Sequence, residues 1–357
     1  MGHKILMISD IHFGVKNNSE RYLEIIKDFF LKTLAKAIDT RNITDVRILG
    51  DLFDCRNHIN VRTFNTVLEI FRWYESNHKN VHFKILLGNH DIYYKNRIDV
   101  NSLEILRGFK NVTIIDDIVK ETINGKKIIT FPWLVEESKT LHDFNAICAG
   151  EEKFDLCLGH FEIKGFEISK GQFDDFGLEK GKFKNFKRVF TGHYHLRNTM
   201  NQISYLGCPY QITWGDYGDA KGIHVYDIDE GKTEFIENTD SPTFIKITIQ
   251  DVLDDSTLLE RVKGNSIKIV IDKKYDEVDI VKSMTKLEGL SPIKLDVENE
   301  FIEEIDENDD LDITMTDTLS FLGEYVKNIK LEDNIEEKKL LSFLTELHQA
   351  ATSENNE

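Results

Sequence analysis

The sequence predicts an α/β layered domain followed by a smaller α/β unit, and three observations carry that expectation. Five short runs are apolar and β-branched and end in a polar cluster: 4–10 (KILMISD), 45–51 (DVRILGD), 84–91 (KILLGNHD), 155–160 (DLCLGH) and 188–195 (RVFTGHYH). Continuous apolar runs of that length read as strands buried on both faces. Helix-period stretches separate the early runs, and strand–helix–strand alternation marks a layered core. The chain has 357 residues, about twice the usual single domain, so a second unit has room.

Taken in order, residues 20–38 place Tyr22, Ile25, Ile26, Phe29, Leu34 and Ile38 near one helical face. Residues 61–74 do the same with Phe64, Val67, Leu68, Phe71 and Trp73, so both stretches read as amphipathic helices. Further strands at 127–132, 203–206, 222–227 and 233–236 make the second part of the core strand-rich. Ser241-Pro242 then breaks the chain. A βαβ-like unit follows, with strands at 244–249, 266–271 and 293–297 and a helix over 276–287. Residues 298–312 hold nine carboxylates and no basic residue, which reads as a solvated linker. Two amphipathic helices, 317–329 and 334–350, close the chain. The expected domains are a core over 1–240, a small α/β unit over 241–297, an acidic linker over 298–316 and a helical segment over 317–357.

Composition excludes several classes. Apolar residues make up 40% and charged residues 30%, too apolar for a disordered chain. With only 4 prolines and 21 glycines the chain is no collagen-like polymer. No apolar run reaches the ~18 residues a membrane helix needs, and the start lacks a signal-peptide pattern. Cys55, Cys148, Cys157 and Cys208 form no CxxC pair, so reduced thiols in a cytoplasmic compartment are expected. The net charge of −18 is unevenly placed. Residues 1–240 carry 32 basic and 35 acidic side chains, whereas residues 241–357 carry 13 and 28. The first part is nearly neutral and, with bound divalent cations, can dock a polyanion.

The chemistry lies in the five polar clusters. They are Asp10-Ile-His12, Gly50-Asp51-Leu-Phe-Asp54, Gly88-Asn89-His90-Asp91, Gly159-His160 and Gly192-His193-Tyr-His195. Ligand sites lie beyond the carboxyl ends of such strands, so the clusters are expected to converge. Imidazole, carboxylate and amide oxygen suit Mn²⁺, Fe²⁺ or Zn²⁺, with no thiolate to favour soft metals. Asp10 and His12, like His193 and His195, are two apart and reach one side of an extended segment. Four clusters have glycine before the ligand, which is expected to let the backbone turn tightly. Asp51, by its central place, is the candidate to bridge two metals about 4 Å apart, as an in-line displacement at phosphorus needs. Each piece alone is weak; the five in this order are not.

The order D-x-H, G-D-x-x-D, G-N-H-D, G-H, G-H-x-H resembles the calcineurin-like metallophosphoesterases over residues 4–195. Within them the chain is most similar to the SbcD or meiotic-recombination-eleven nucleases, especially phage-encoded recombination endonuclease subunits. The opening SDIHFG, the motif GDLFDCR and Asp91 point that way; the Asp-Arg-Gly of protein phosphatases is absent, since Asp54 is followed by Cys55-Arg56-Asn57. The resemblance implies a layered β-sandwich core flanked by helices, with a small α/β capping domain and C-terminal helices. It implies two Mn²⁺, with Mg²⁺ or Fe²⁺ as alternatives. Asp10, His12, Asp51 and His195 are expected at one metal, and Asp51, Asn89, His160 and His193 at the other. His90 is expected to act on the leaving oxygen and Asp91 to orient His90, while the metals activate the attacking water. Asp54 is expected behind the ligands. The implied activity is 3′→5′ exonuclease and single-strand endonuclease in double-strand-break repair, recombination and replication. The implied partners are DNA ends and single strands, a second copy of the chain, and an SMC-like ATPase of the SbcC type bound by the terminal helices. A phage-encoded protein of this kind is expected in the bacterial host cytoplasm.

Two other classes stand beside that expectation. A metallophosphatase or small-molecule phosphodiesterase needs the same core but neither the capping unit nor the terminal helices. A non-enzymatic scaffold need not keep every ligand together with His90 and Asp91. Outside the motifs, Arg56, His58 and Tyr93 are candidate DNA contacts, and the loop 93–97 has the aromatics to stack on bases. The run 182–188 (KFKNFKR) reads more simply as an amphipathic turn with a solvated face.

Overall fold

The computed structural model describes residues 2–136, 138–254 and 258–301. The terminal helices expected at 317–329 and 334–350, and most of the acidic linker, lie outside the described residues.

The core is built from two six-stranded sheets. The first runs, in spatial order, Lys232–Glu237, Gly222–Asp227, Lys4–Ile8, Asp45–Ile48, His82–Leu86 and Val112–Ile115. The last four of these strands are parallel. The second runs Asn198–Met200, Ile203–Tyr205, Phe186–Gly192, Phe154–His160, Lys126–Thr130 and Val119–Ile123. Its four central strands are also parallel.

The apolar runs explain the layering. Successive side chains on a strand point to opposite faces. Ile5 and Met7 join Leu156, Leu158 and Phe190 in the core between the sheets. Leu6 and Ile8 pack outward with Phe29, Phe30, Val67 and Phe71 under the helices. Cys157 and Val189 pack outward on the other side with Phe144 and Phe183. Strands covered on both faces have no reason to alternate polar and apolar, which is why they read as continuous apolar runs. The result is the expected β-sandwich flanked by helices.

Two differences from the sequence reading have physical causes. The helix expected over 20–38 is Glu20–Asp28, a π-helical turn Phe29–Leu34, and Ala35–Arg41. Phe29, Phe30, Thr33 and Leu34 all face inward across this wider turn. The strands Val112–Ile115 and Val119–Ile123 at the sheet edges leave little signal in the sequence because they are short, and the second alternates half-buried and exposed residues.

Beyond Ser241-Pro242, strands Phe244–Thr248, Ser266–Ile271 and Lys294–Asn299 form a parallel three-stranded sheet. Two crossovers join them, one carrying Ile249–Asp254 and the other Glu277–Glu288; a single helix had been expected. Ile247, Ile249, Val252, Ile267, Ile269 and Leu287 form this unit's own core. It rests on the main body where Phe244 meets the Trp214 ring at 4.7 Å. The Phe244 amide also donates to Gln211 Oε1 at 2.6 Å.

Candidate metal centre

Five loops leave the carboxyl ends of strands in both sheets and meet at one edge of the sandwich. Their backbones are tied together. The His12 amide donates to the Asp51 carbonyl at 3.0 Å and the Phe13 amide to the Leu52 carbonyl at 2.8 Å, while the Asp54 amide returns to Phe13. The loops after the first two strands therefore continue as a narrow parallel ladder, which fixes Asp10, His12, Asp51 and Asp54 relative to one another. Across the sandwich, Gly192 stands beside His160 on adjacent parallel strands. The His193 amide donates to Asp10 Oδ1 at 3.0 Å and joins the two sheets at the site.

This edge stores backbone strain. Asp10, His12 and Asp51 have φ of 54°, 53° and 50°, and His193 has 100°. Left-handed backbone at residues other than glycine costs about 1–3 kcal/mol each and persists where the surroundings over-determine it. The glycines before the ligands serve a different purpose from the one expected. Of the four, only Gly50 has positive φ, at +88°. At the others there is no room for a side chain: a Cβ on Gly88 would lie 2.1 Å from Asp51 Oδ1, and one on Gly192 would lie 1.8 Å from Ser9 Oγ.

The donor atoms gather in two groups. Those of Asp10, His12 and His195 lie within 4.8 Å of one another, as do those of Asp51, His160 and His193. His12 Nε2 and His195 Nε2 are 3.0 Å apart. Asn89 Oδ1 is 3.0 Å from His160 Nε2 and 2.9 Å from His193 Nδ1. Asp51 Oδ2 is 3.3 Å from His160 Nε2 and 3.9 Å from His12 Nε2, so this carboxylate stands between the groups. Donors around an ion at ~2.1 Å are spaced by about 3 Å.

The chemistry of the donors fits cations as well as the spacing does. His160 Nδ1 donates to the Leu49 carbonyl at 2.7 Å, a group that can only accept. Its Nε2 therefore points at Asn89 Oδ1 and Asp51 Oδ2 with either a proton or a bare lone pair. Only a positive charge reconciles a lone pair with two acceptor oxygens. Burial opposes a proton there, but Asp51 outweighs it and raises His160 to about 9. His12 is likewise raised against its burial, by Asp54, Asp51 and Asp10. Burial and the neighbouring His160 push His193 down to about 3, and burial with His12 lowers His195. Burial alone would raise Asp51, yet the surrounding imidazoles hold it well below the usual carboxylate range. The carboxylates thus draw positive charge to the place where a cation would sit.

The Asp91 carboxylate does not orient His90, contrary to expectation. It is fully buried and accepts from the amides of Phe53 at 3.0 Å, Gly88 at 2.9 Å and Leu52 at 3.3 Å. It braces the two loops that carry Asp51 and Asn89. Burial and the Asp51 charge push it up to about 7. His90 is oriented instead by the Asp54 carbonyl, 2.6 Å from its Nδ1. Its ring meets that of His12 edge-on at 5.1 Å. The Asp54 side chain lies 3.3 Å from His12 Nδ1, on the far side of the imidazole from the donors.

Arg56, His58 and Tyr93 stay outside the donor cluster. His58 Nδ1 lies 3.5 Å from Cys55 Sγ. Tyr93 and Tyr94 are exposed, and the Arg97 guanidinium lies 4.0 Å over the Tyr94 ring. In the run 182–188, Phe183 and Phe186 are buried and Lys182 binds Asn145 Oδ1, as an anchored amphipathic turn requires. Two residues near the donors gave no signal in the sequence. Lys221 is buried, donates to the His195 carbonyl at 2.5 Å and pairs with Asp216 and Asp219. Trp133 packs on His193, ring centroids 5.1 Å apart. Neither belongs to a short motif; each is brought in by topology.

The sequence has counterparts among known proteins. A family model for the calcineurin-like phosphoesterases matches residues 3–197. Exonuclease subunit 1 of Enterobacteria phage T4 is 29% identical over 359 residues, covering 98% of this chain and 99% of that protein. Putative phosphoesterase 078R of Invertebrate iridescent virus 3 is 27% identical over 227 residues, covering 59% and 58%. Among solved structures, an archaeal phosphodiesterase matches with a TM-score of 0.35 at 14% identity, over 66% of this chain and 99% of that one. The Pseudomonas putida nuclease MPE matches with a TM-score of 0.30 at 17% identity, over 65% and 87%.

Proposed function

The chain belongs to the calcineurin-like phosphoesterases, metal-dependent hydrolases of phosphate esters, and we propose that it is the nuclease subunit of a DNA-end-processing complex. The observation that carries this reading is similarity from end to end, 98% of one chain against 99% of the other, to a protein named as an exonuclease subunit. The word subunit supports a partner, and residues 317–357 supply amphipathic stretches for one. The reading extends to 3′→5′ exonuclease and single-strand endonuclease activity in repair, recombination and replication, with an SbcC-type ATPase. It extends also to pairing of two copies through the early helices and to action in a bacterial host cytoplasm.

Asp10, His12, Asp51 and His195 would hold one divalent cation, and Asp51, Asn89, His160 and His193 the other. The donor set of imidazole, carboxylate and amide oxygen suits Mn²⁺, Fe²⁺ or Zn²⁺, and Mn²⁺ is the one that the nuclease resemblance implies. Two cations bound there would supply positive charge to the phosphoryl oxygens and lower the pKa of the attacking water. The chain's own residues do the rest. With Nδ1 committed to the Asp54 carbonyl, His90 has Nε2 to present to the departing oxygen and, when protonated, gives it a proton. Asp54 holds His12 in place from behind, and Asp91 keeps the bridging carboxylate and Asn89 on adjoining braced loops.

The test is digestion of an end-labelled linear duplex across a Mn²⁺ titration, with a nitrophenyl phosphate ester in parallel. Stepwise shortening from the 3′ end, abolished by EDTA, is expected. His90→Ala is expected to keep Mn²⁺ and DNA binding and to lose about 10²–10⁴ in cleavage rate. Fast ester hydrolysis beside untouched DNA would place the enzyme with small-substrate phosphodiesterases instead.

A further inference from the structure

Beside the donor cluster lies a cavity of about 320 Å³, lined by Trp133, Leu141, His160, Phe161, Phe176 and Leu178 among others. Its size falls at the low end of small-ligand sites. It borders the candidate centre, because His160 lines it and Trp133 packs on both His160 and His193. Trp133 forms the shared wall, its ring 5.1 Å from that of His193 and 5.8 Å from that of His160.

Phe176 is the unexplained residue. It is 94% exposed, the most exposed large apolar side chain among the described residues. Yet the backbone that carries it is pinned. The Asp174 carboxylate, 2% exposed, accepts from the amides of Phe176 at 2.7 Å and Gly177 at 3.1 Å. It accepts also from the Tyr194 hydroxyl at 2.5 Å, and Tyr194 sits between the two histidines of the last motif. A Cβ on Gly177 would lie 2.6 Å from the Glu162 carbonyl carbon, so the loop is pressed against the strand end that carries His160. A buried carboxylate thus fixes the backbone that carries an exposed phenyl ring beside the cavity.

We propose that this cavity is a nucleobase subsite, in which Phe176 and Trp133 offer aromatic faces to the base of a nucleotide next to the scissile phosphate. The inference rests on the nuclease reading above and deepens it. Charge bears on the occupant: three carboxylates, Glu136, Glu162 and Glu179, line the cavity away from His160, with Lys182 beside them, so there phosphate is disfavoured and the uncharged, N–H-bearing base is favoured. Stacking on an aromatic face is worth about 1–3 kcal/mol per base and tolerates any sequence. A base can enter only when unpaired, so the subsite favours frayed ends and single strands. The pinned loop lowers the ordering cost of that stacking.

Two measurements test it together. In the first, 2-aminopurine is placed at the 3′ or the 5′ terminus of a duplex and its fluorescence is followed on binding. Quenching at one terminus with the wild-type protein, lost in Phe176→Ala and restored in Phe176→Trp, is expected. In the second, cleavage in Mn²⁺ is compared for duplexes with a normal or an abasic nucleotide at that terminus. Losing the base or losing the ring is expected to cost the same, about 5- to 150-fold in kcat/KM, and losing both no more than either. Losses that multiply, or a Phe176→Ala protein that quenches and cuts like the wild type, would overturn the subsite. A wild-type protein that quenches 2-aminopurine but leaves DNA intact would sink the nuclease reading and leave the subsite standing.

Discussion

At the residue scale, the candidate centre shows that a metal ligand is defined as much by its second contact as by its first. His160 is committed at Nδ1 to the Leu49 carbonyl, and this leaves Nε2 as the donor. In the metal-free protein that nitrogen keeps its proton to about pH 9 because Asp51 outweighs the burial. The proton must leave before a cation can enter. Below that pH, affinity for the ion held by Asp51, Asn89, His160 and His193 is therefore expected to rise with pH, about tenfold per unit for one proton. Calorimetric titration with Mn²⁺ in buffers of different ionisation enthalpy checks this. Release of about one proton or more per ion near neutral pH is the expected result; an affinity flat in pH, with no proton released, would remove His160 from the ligand set.

At the element scale, the strands were legible and their ends were only half so. The five apolar runs declared themselves because strands covered on both faces carry no polar alternation, as with Leu6 and Ile8 outward and Ile5 and Met7 inward. The donors were legible because each run stops at its own cluster. What the sequence did not disclose is how the glycines work. A G-N-H-D string looks like a turn signal, yet Gly88 has ordinary φ and is small because the Asp51 loop lies against it. Nor could it disclose that Asp91 binds three amides of two loops while the Asp54 carbonyl holds His90, since such contacts depend on loops distant in sequence. Lys221 and Trp133 were hidden for the same reason. Close approach makes a sharp prediction. In Gly88→Ala the new methyl falls on Asp51 Oδ1 and the Asp51 amide nitrogen. Overpacking of this kind costs about 1–3 kcal/mol, and the strained Asp51 backbone, φ 50°, has little room to yield. The variant is expected to stay folded by circular dichroism and to lose about 10- to 100-fold in Mn²⁺ affinity. Gly181→Ala, beside open space, is the control. Wild-type Mn²⁺ binding by Gly88→Ala would show that the loops are looser than their packing implies.

At the scale of the whole molecule, the site exists only while the two sheets keep their relation, since Asp10, Asp51 and Asn89 follow strands of one and His160 and His193 belong to the other. Beside the apolar core, a polar tie joins the sheets: Arg47, 1% exposed, binds Asp45 at 2.6 and 2.7 Å within its own strand and reaches Glu121 of the other sheet at 2.6 Å. Lys84 meets the same Glu121 at 2.6 Å. Burial would raise Glu121, but Arg47 and Lys84 hold it below its ordinary value; Asp45 is lowered by Arg47 in the same way, against its own burial. A carboxylate lowered in the folded state adds stability that is complete above its unfolded pKa and is lost as pH falls through the folded one. Glu121→Gln keeps the shape and removes the charge from a buried guanidinium that still has Asp45. Hydrogen bonds to charged groups contribute about 1.5–3 kcal/mol, so the variant is expected to be less stable by that order near neutral pH. The gap between the two proteins is expected to persist down to about pH 4.5 and to close in more acidic solution, where wild-type Glu121 takes up its proton. Urea unfolding of both proteins across that range measures it. A gap that does not change with acidity would mean that Glu121 contributes by packing rather than by charge, and that the register of the sheets, and with it the site, is held by the core alone.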